Sequence, residues 1–260
     1  MSSEPAARAE SLQSLTRGLA VIRCFDAENP ELSLSDVARR SGTSRATARR
    51  ILHTLEDLKY VRLRDGRFSL TPRVLELGGA YLASSPLPTL ARPHLADLTA
   101  ATDESSSLSE LDGDEIVYVA RVERRRIMTV AIGLGTRFPA YATSMGRVLL
   151  AGKPPEWVEG YFSRVDLVGL TENTIVDVEE LRAELEQIRL QGWCLVDEEL
   201  EPGLRSVAAP VRDAAGLVVA AVNVSTTTRH SVARIREQLL GPLLVCAAEI
   251  STDLASQGGR

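Results

Sequence analysis

Starting at Ala48, apolar residues return at Ile51, Leu52 and Leu55, the i, i+3, i+4, i+7 spacing of one helix face. At about 100° per residue, Ala46, Arg49, Arg50 and His53 fall on the opposite side. Ser44 is placed to accept from the free amides of the first turn, so the pattern predicts a helix over about 45–58. Just upstream, "SLSDVARRSG" predicts a second, short helix, with Ser33 and Asp36 spaced as a capping box and Gly42 ending it one tight turn before the next cap. Earlier still, "SLQSLTRGLAVIRCF" sets Leu12, Leu15, Leu19 and Ile22 along one face and predicts a third helix whose stripe completes a small core. Three helices in this order read as a helix-turn-helix. In "YVRLRDGRFSL", Val61, Leu63, Phe68 and Leu70 flank Asp65-Gly66, a strong hairpin signal, and Arg62, Arg64 and Arg67 alternate with them. A basic hairpin after such a helix is a wing.

The pattern changes at "TPRVLELGGAYLASSPLP". Pro72 suits the first turn of a helix; Val74, Leu75, Leu77, Tyr81 and Leu82 give it an apolar face; Ser84, Ser85, Pro86 and Pro88 stop it. The expected organisation is a flexible tail (1–10), a winged helix-turn-helix (11–70), a linker helix (71–85) and a second domain (86–260). A twin helix from another subunit would cover the linker's apolar side; packing on its own wing is the alternative. In the second domain, "EIVYVARV" (115–122) and "IMTVAI" (127–132) read as strands. Residues 206–225 read as two antiparallel strands turning at Asp213 to Gly216. Helices fit "MGRVLLA", "PEWVEGYF", "DVEELRAELEQIRLQG" and, interrupted by Pro242, "SVARIREQLLGPLLVCAAEISTDLA". The expected class is α+β, a mostly antiparallel sheet faced by helices.

Charge sharpens this division. The chain of 260 residues carries a net charge of −5, but residues 11–75 hold 12 Lys and Arg against 7 Asp and Glu, leaving +5 there and −10 elsewhere. A basic module on an acidic body suggests a polyanion-binding head, although charge alone is equally met by a surplus of solvated arginines. With the helical pattern, the cluster is expected to face the major groove of duplex DNA, with the wing near the backbone or minor groove. The candidate contacts are Ser44, Arg45, Ala46, Thr47, Arg49 and Arg50, with Arg64 and Arg67 of the wing. Helix-turn-helix modules that bind proteins remain the alternative. With 44% hydrophobic and 25% charged residues the chain has the composition of a globular protein. No run of about 18 apolar residues is read as a bilayer span, and the N-terminus lacks the apolar core of a signal peptide, so a cytoplasmic protein with no membrane partner is expected. The three cysteines, Cys24, Cys194 and Cys246, have no short spacing and are expected to be small core residues.

Catalytic chemistry finds little support. There are three histidines and no HExxH, GxSxG, Walker or dinucleotide motif. Glu179/Glu180 and Glu198/Glu199 read as solvated faces rather than acid/base pairs, so no enzyme is expected. The best ligand site is "PAYATSMGRVLLA", where a strand runs into a helix starting near Ser144. The amides of Ser144, Met145 and Gly146, backed by the helix dipole, would bind a carboxylate, with Gly146 allowing close approach. The simpler alternative is that Thr143 or Ser144 caps the helix and nothing binds. Ser206, Asn223 and Ser225 add small polar residues to otherwise apolar strands; a ligand, ordered water or mutual bonding would satisfy them.

These segments together resemble IclR-type transcriptional regulators. The resemblance covers about residues 11–255 and rests on the winged helix-turn-helix, "PAYATSMGRVLLA" and "GWCLVDEELEPGLRSVAAPVRDAAGLVVAAVNVS". The variants "SRATARRILHTLEDLKYV" and "RRIMTVAIGLGTRFPAYATSMGRVLLA" are similar to the Pca/Pob branch, which controls aromatic-acid catabolism. The resemblance implies a GAF-like effector domain whose pocket uses Ser144, Met145, Ser206, Asn223 and Ser225, with Ile127, Val130 and Phe138 closing its wall. Val196 stands where some relatives carry an acidic residue that holds a small keto acid, which suits a larger or more apolar acid here. It further implies a homodimer or dimer of dimers on a pseudo-palindromic operator and a small aromatic or dicarboxylic acid as effector. Some relatives bind zinc in this domain, but the His/Cys/Asp set for it is not evident here, so no metal or cofactor is expected. The other readings are an enzyme acting on such an acid and an interaction scaffold that does not bind DNA.

Overall fold

The computed structural model describes residues 12–124 and 132–257, which divide between Ser84 and Ser85 into two compact units. The expected tail (1–10) and all but the last residue of the strand expected over 127–132 lie outside the described residues.

In the first unit, α1 (Gln13–Ile22), α2 (Leu34–Arg40) and α3 (Arg45–Asp57) precede a hairpin of β2 (Val61–Arg64) and β3 (Arg67–Leu70), and β1 (Leu32–Ser33) pairs with the outer side of β3. Both expected caps form. Ser33 and Asp36 make the reciprocal capping box, and Ser44 Oγ accepts from the Thr47 amide at 3.2 Å. Gly42, at φ +63°, makes the turn between α2 and α3. Asp65 and Gly66 both have positive φ, 48° and 76°, as a two-residue hairpin turn that matches the strand twist requires. The core gathers Val37, Ala48, Leu52, Leu55, Val61 and Phe68.

The α1 stripe departs from expectation. Leu12, Leu15 and Leu19 are exposed, Leu15 at 61%, and Ile22 is only half-buried; the deep contributions from this end of the chain are Val21 and Cys24. The α2, α3 and hairpin side chains already fill this small core, so only the C-terminal end of α1 enters it. A single 3-10 turn at Pro72–Val74, capped by Thr71, then leads into α4 (Leu75–Ser84), on which Leu75, Leu77 and Tyr81 are exposed.

The second unit begins with α5 (Leu87–Thr102), followed by β4 (Ser105–Asp112), β5 (Glu115–Val122) and β6 (Arg137–Pro139). Three helices follow, α6 (Ser144–Ala151), α7 (Pro155–Phe162) and α8 (Val178–Gln191), then β7 (Cys194–Asp197), β8 (Leu204–Arg212) and β9 (Val218–Thr227). The six strands form one antiparallel sheet in the order β6-β5-β4-β9-β8-β7. α9 (Val232–Arg234) continues through a π-helical stretch, Ile235–Leu239, into α10 (Leu240–Gln257). One face of the sheet packs on α5 and α10 through Leu95, Leu98, Val222, Val224, Leu243 and Ile250. The other packs on α6 and α8 through Leu149, Leu181, Leu185, Ala208 and Ala221. Because helices cover both faces, β9 is buried almost throughout rather than on alternate residues.

Pro242 does not interrupt the last helix. It has no amide to give and its ring crowds the carbonyl four residues back, at Gln238, and the wider π turn there absorbs both defects. The expectation that no segment is apolar enough to span a bilayer also needs correction: the helical run 232–257 meets that requirement by length and composition, an 18-residue window within it having a mean hydropathy of 1.4. Leu243, Cys246, Ala247 and Ile250 of this run are buried in the core on the α5 side of the sheet. In the second unit α5, β4 and β7 have no counterpart in the pattern reading, as β1 has none in the first. Pro86, Pro88 and Pro93 disguise the buried series Leu87, Ala91, Leu95 and Leu98. In β4 serines take apolar positions, Ser106 Oγ being satisfied by the Leu95 carbonyl at 2.9 Å and Thr99 Oγ1 at 2.7 Å.

Candidate functional site

On the first unit, Ser44, Arg45, Ala46, Arg49 and Arg50 are exposed on the start and outer side of α3, and Thr47 is half-buried. Arg64 and Arg67 are exposed on the hairpin. Ser44 Oγ is occupied in capping and in a 2.9 Å bond to Thr47 Oγ1, so these two hydroxyls fix the helix start. Arg67 donates to the Glu31 carbonyl at 3.0 Å, which ties the wing to β1. Arg50 and Thr47 line a groove that α3 shares with Arg17 and Gly18 of α1. Among the described residues, none of Arg45, Arg49, Arg50, Arg64 and Arg67 meets a carboxylate, whereas Arg39, Arg40 and Arg73 of the same unit each do. Uncompensated guanidinium groups at a helix start and on a hairpin form a surface that attracts a polyanion.

On the second unit, a hollow opens where the start of α6 faces the sheet. Its polar wall is Thr143, Ser144, Ser206, Asn223 and Ser225. Its apolar wall is Tyr118, Ile132, Met145, Val196, Leu200 and Leu204, with Ala142 between. Strand register brings the polar residues together, since Ser206 pairs with Ser225 and with Val196, and Ser225 and Asn223 point to one face two residues apart. Ser144 Oγ meets Ser206 Oγ at 2.7 Å, Asn223 Nδ2 donates to Ser225 Oγ at 3.0 Å, and Ser109 Oγ donates to Met145 Sδ at 3.2 Å. Mutual bonding therefore satisfies part of this layer. The hollow is small, about 10 Å³, or about one water.

Thr143 is the cap of α6, its Oγ1 accepting from the Gly146 amide at 3.0 Å. That amide is consequently not available to a ligand, and the expected role of Gly146 is corrected. A Cβ there would lie 2.1 Å from the Ala140 oxygen and 2.5 Å from its Cα, so the glycine lets the helix sit against its own approach segment. The Ser144 and Met145 amides remain at the head of the helix, where first-turn N–H groups have no intrahelical acceptor. Phe138 does not reach the hollow; it packs edge-on against Tyr118 at 5.9 Å. Ile127 and Val130 lie outside the described residues. Tyr118, Leu200 and Leu204 were not expected in the wall; strand register places Tyr118 and Leu204 there, and the β7–β8 loop carries Leu200, so local spacing gives no sign of any of them. Burial pushes the Tyr118 phenol up to about 12, which keeps it a neutral hydroxyl.

Glu199 is the clearest departure from the sequence reading. Rather than lying on a solvated face, its carboxylate is 9% exposed and takes both terminal nitrogens of Arg147, whose side chain is 1% exposed. Arg147 Nε also donates to the Tyr141 carbonyl at 2.7 Å, and Glu199 accepts from the Ile175 amide at 3.1 Å. The pair clamps the loop that carries Leu200 to the helix that opens the hollow. No His, Cys, Asp, Glu or Lys lines the hollow among the described residues, so the wall offers binding groups and no general base. All three cysteines are buried and unpaired, and burial pushes the Cys246 thiol up to about 12 and raises Cys194 as well, leaving protonated, unreactive thiols.

With this geometry in place, comparison with known proteins gives a consistent result. Residues 14–65 match the family model described as IclR helix-turn-helix domain, and residues 79–252 match Bacterial transcriptional regulator IclR C-terminal. The Pca regulon regulatory protein of Pseudomonas putida is 44% identical over 248 residues, covering 95% of this chain and 84% of that protein. The p-hydroxybenzoate hydroxylase transcriptional activator of Acinetobacter baylyi is 38% identical over 253 residues, covering 94% and 92%. Among solved structures, an IclR homologue from Microbacterium hydrocarbonoxydans complexed with 4-hydroxybenzoate superposes with a TM-score of 0.82 at 26% identity, covering 94% of this chain and 99% of that one. Thermotoga maritima IclR superposes with a TM-score of 0.78 at 29% identity, covering 94% and 100%.

Proposed function

The chain belongs to the IclR family of bacterial transcriptional regulators, and from that premise we propose that it grips an operator through α3 and its wing and alters that grip when a small aromatic acid enters the pocket at the start of α6. The observation that carries the reading is the pairing, in one chain, of carboxylate-free arginines on a helix-turn-helix with a polar-floored hollow at a helix N-terminus. The acid's carboxylate would meet the Ser144 and Met145 amides, its ring would lie against Tyr118, Val196 and Leu200, and Ser206, Asn223 and Ser225 would form the floor. Relatives that regulate aromatic-acid catabolism, and a homologue holding 4-hydroxybenzoate, support an effector of this class. The cytoplasm is the compartment in which such a regulator works.

A homodimer, or a dimer of such dimers, presents two recognition helices to a pseudo-palindromic site. The exposed leucines of α1 and the exposed Leu75, Leu77 and Tyr81 of α4 are the apolar surface that a second copy would cover. The Asp65–Gly66 turn carries Arg64 and Arg67 to the flanking backbone.

Fluorescence anisotropy with duplex DNA tests the head. Binding should weaken steeply with salt, the slope of log K on log salt being about −0.9 per phosphate neutralised. Arg49→Ala is expected to cost about 1–3 kcal/mol and to relax preference at one base position, whereas Arg64→Ala should weaken all sequences alike and lower the slope by about one. A binding constant indifferent to salt would remove the DNA-reading role.

A further inference from the structure

We propose that Asn223 reads a hydrogen-bond donor on the effector, so that the pocket selects aromatic acids bearing a hydroxyl over unsubstituted aromatic acids and over dicarboxylates. This rests on the acid-binding reading above and narrows it.

Asn223 is 2% exposed and lines the hollow. Its Nδ2 is committed to Ser225, but its Oδ1 has no partner; among the described residues it is the one buried side-chain oxygen or nitrogen in that position. A buried carbonyl oxygen without a donor is costly, and native sites supply one from protein, water or ligand. The space beside it fits about one water. An acid that occupies this space must donate a hydrogen to the oxygen or leave it bare.

The polarity of the pocket orients the acid. Amides that favour an anion stand at the start of α6, and from there the polar layer runs through Ser144, Ser206 and Ser225 to Asn223. One end therefore asks for a carboxylate and the other for a hydrogen. A second carboxylate at Asn223 would set acceptor against acceptor. The neighbouring cation is already engaged: Ser107, in register with Asn223, accepts from Arg121 Nη1 at 2.9 Å, and Arg121 Nε donates to Glu123 at 3.0 Å. A phenolic hydroxyl satisfies the oxygen at no electrostatic cost, and Tyr118 and Leu200 suit the ring that carries it.

The test is calorimetric titration of the full chain with 3- and 4-hydroxybenzoate, benzoate, 4-fluorobenzoate and adipate. The better hydroxybenzoate is expected to bind at least about tenfold more tightly than benzoate, the scale of one buried hydrogen bond, and 4-fluorobenzoate and adipate no better than benzoate. Asn223→Leu should bring the hydroxybenzoate-to-benzoate affinity ratio down to about one, with circular dichroism of the same sample reporting an intact fold. Should that variant not fold, Asn223→Ala takes its place with the same expected ratio. A hydroxyl preference that survives in Asn223→Leu overturns the assignment to this residue. Tight binding of adipate overturns the donor requirement, and tight binding of 4-fluorobenzoate, an acceptor only, shows the amide turned round and overturns it too. If none of these acids binds, the acid-pocket reading itself falls, an outcome distinct from the others.

Discussion

Replacing Arg147 with methionine is expected to cost about 3–5 kcal/mol of folding stability, the usual consequence of removing one partner from a buried ion pair. The reason lies in what stays behind. Glu199 would keep its burial and lose both guanidinium bonds, and the Tyr141 carbonyl would lose its Nε donor. The intact pair need not be a net stabiliser, since desolvating two charges offsets much of their attraction; the damage comes from orphaning one of them. The double change Arg147→Met with Glu199→Leu should accordingly recover much of the loss, though not the bonds to Tyr141 and Ile175. Denaturant melts of the four proteins check this, and equal stability of the two single variants with the parent would contradict it. Acid affinity should fall with stability in Arg147→Met, because the clamp holds Leu200 against the hollow.

Gly146→Ala should also destabilise, by about 1–3 kcal/mol, although alanine is the better helix former by about 0.5–1 kcal/mol. Two effects compete and geometry decides between them. The added methyl would stand 2.1 Å from the Ala140 oxygen, and that neighbour is backbone, which cannot swing aside as a side chain does. Relief requires α6 to lift from its approach segment, which moves the Ser144 and Met145 amides out of line with the hollow. Gly160→Ala in α7 is the matched control, its nearest neighbour being the flexible Arg164 tip at 3.4 Å; it should be neutral or mildly stabilising. Thermal unfolding of the two variants side by side checks the contrast, and like behaviour would show that the close approach carries no weight.

Local signals made the first unit readable. The caps at Ser33 and Ser44, the turn at Asp65–Gly66 and the buried face of Ala48, Leu52 and Leu55 are all decided within a few residues of chain. The α1 leucines misled because a stripe at helical spacing marks one face of a helix and does not say whether its own domain covers it. In the second unit the register between distant strands builds the pocket, and there the sequence is mute. Ser206, Asn223 and Ser225 stood out as polar residues on apolar strands, yet Tyr118, Leu200 and Leu204 carry no such mark. Glu199 looked like any surface acid because its partner lies 52 residues away, and a buried ion pair has no local pattern.

Coupling between the acid pocket and the DNA-reading surface is open to one titration. The full chain is titrated onto a duplex chosen by selection, at one salt concentration, with and without saturating 4-hydroxybenzoate; acid affinity is then measured with and without that duplex. The acid is expected to shift DNA affinity by about 5–150-fold in one direction, and DNA to shift acid affinity by the same factor, as linkage requires. Tight binding of both ligands with neither altering the other would contradict it.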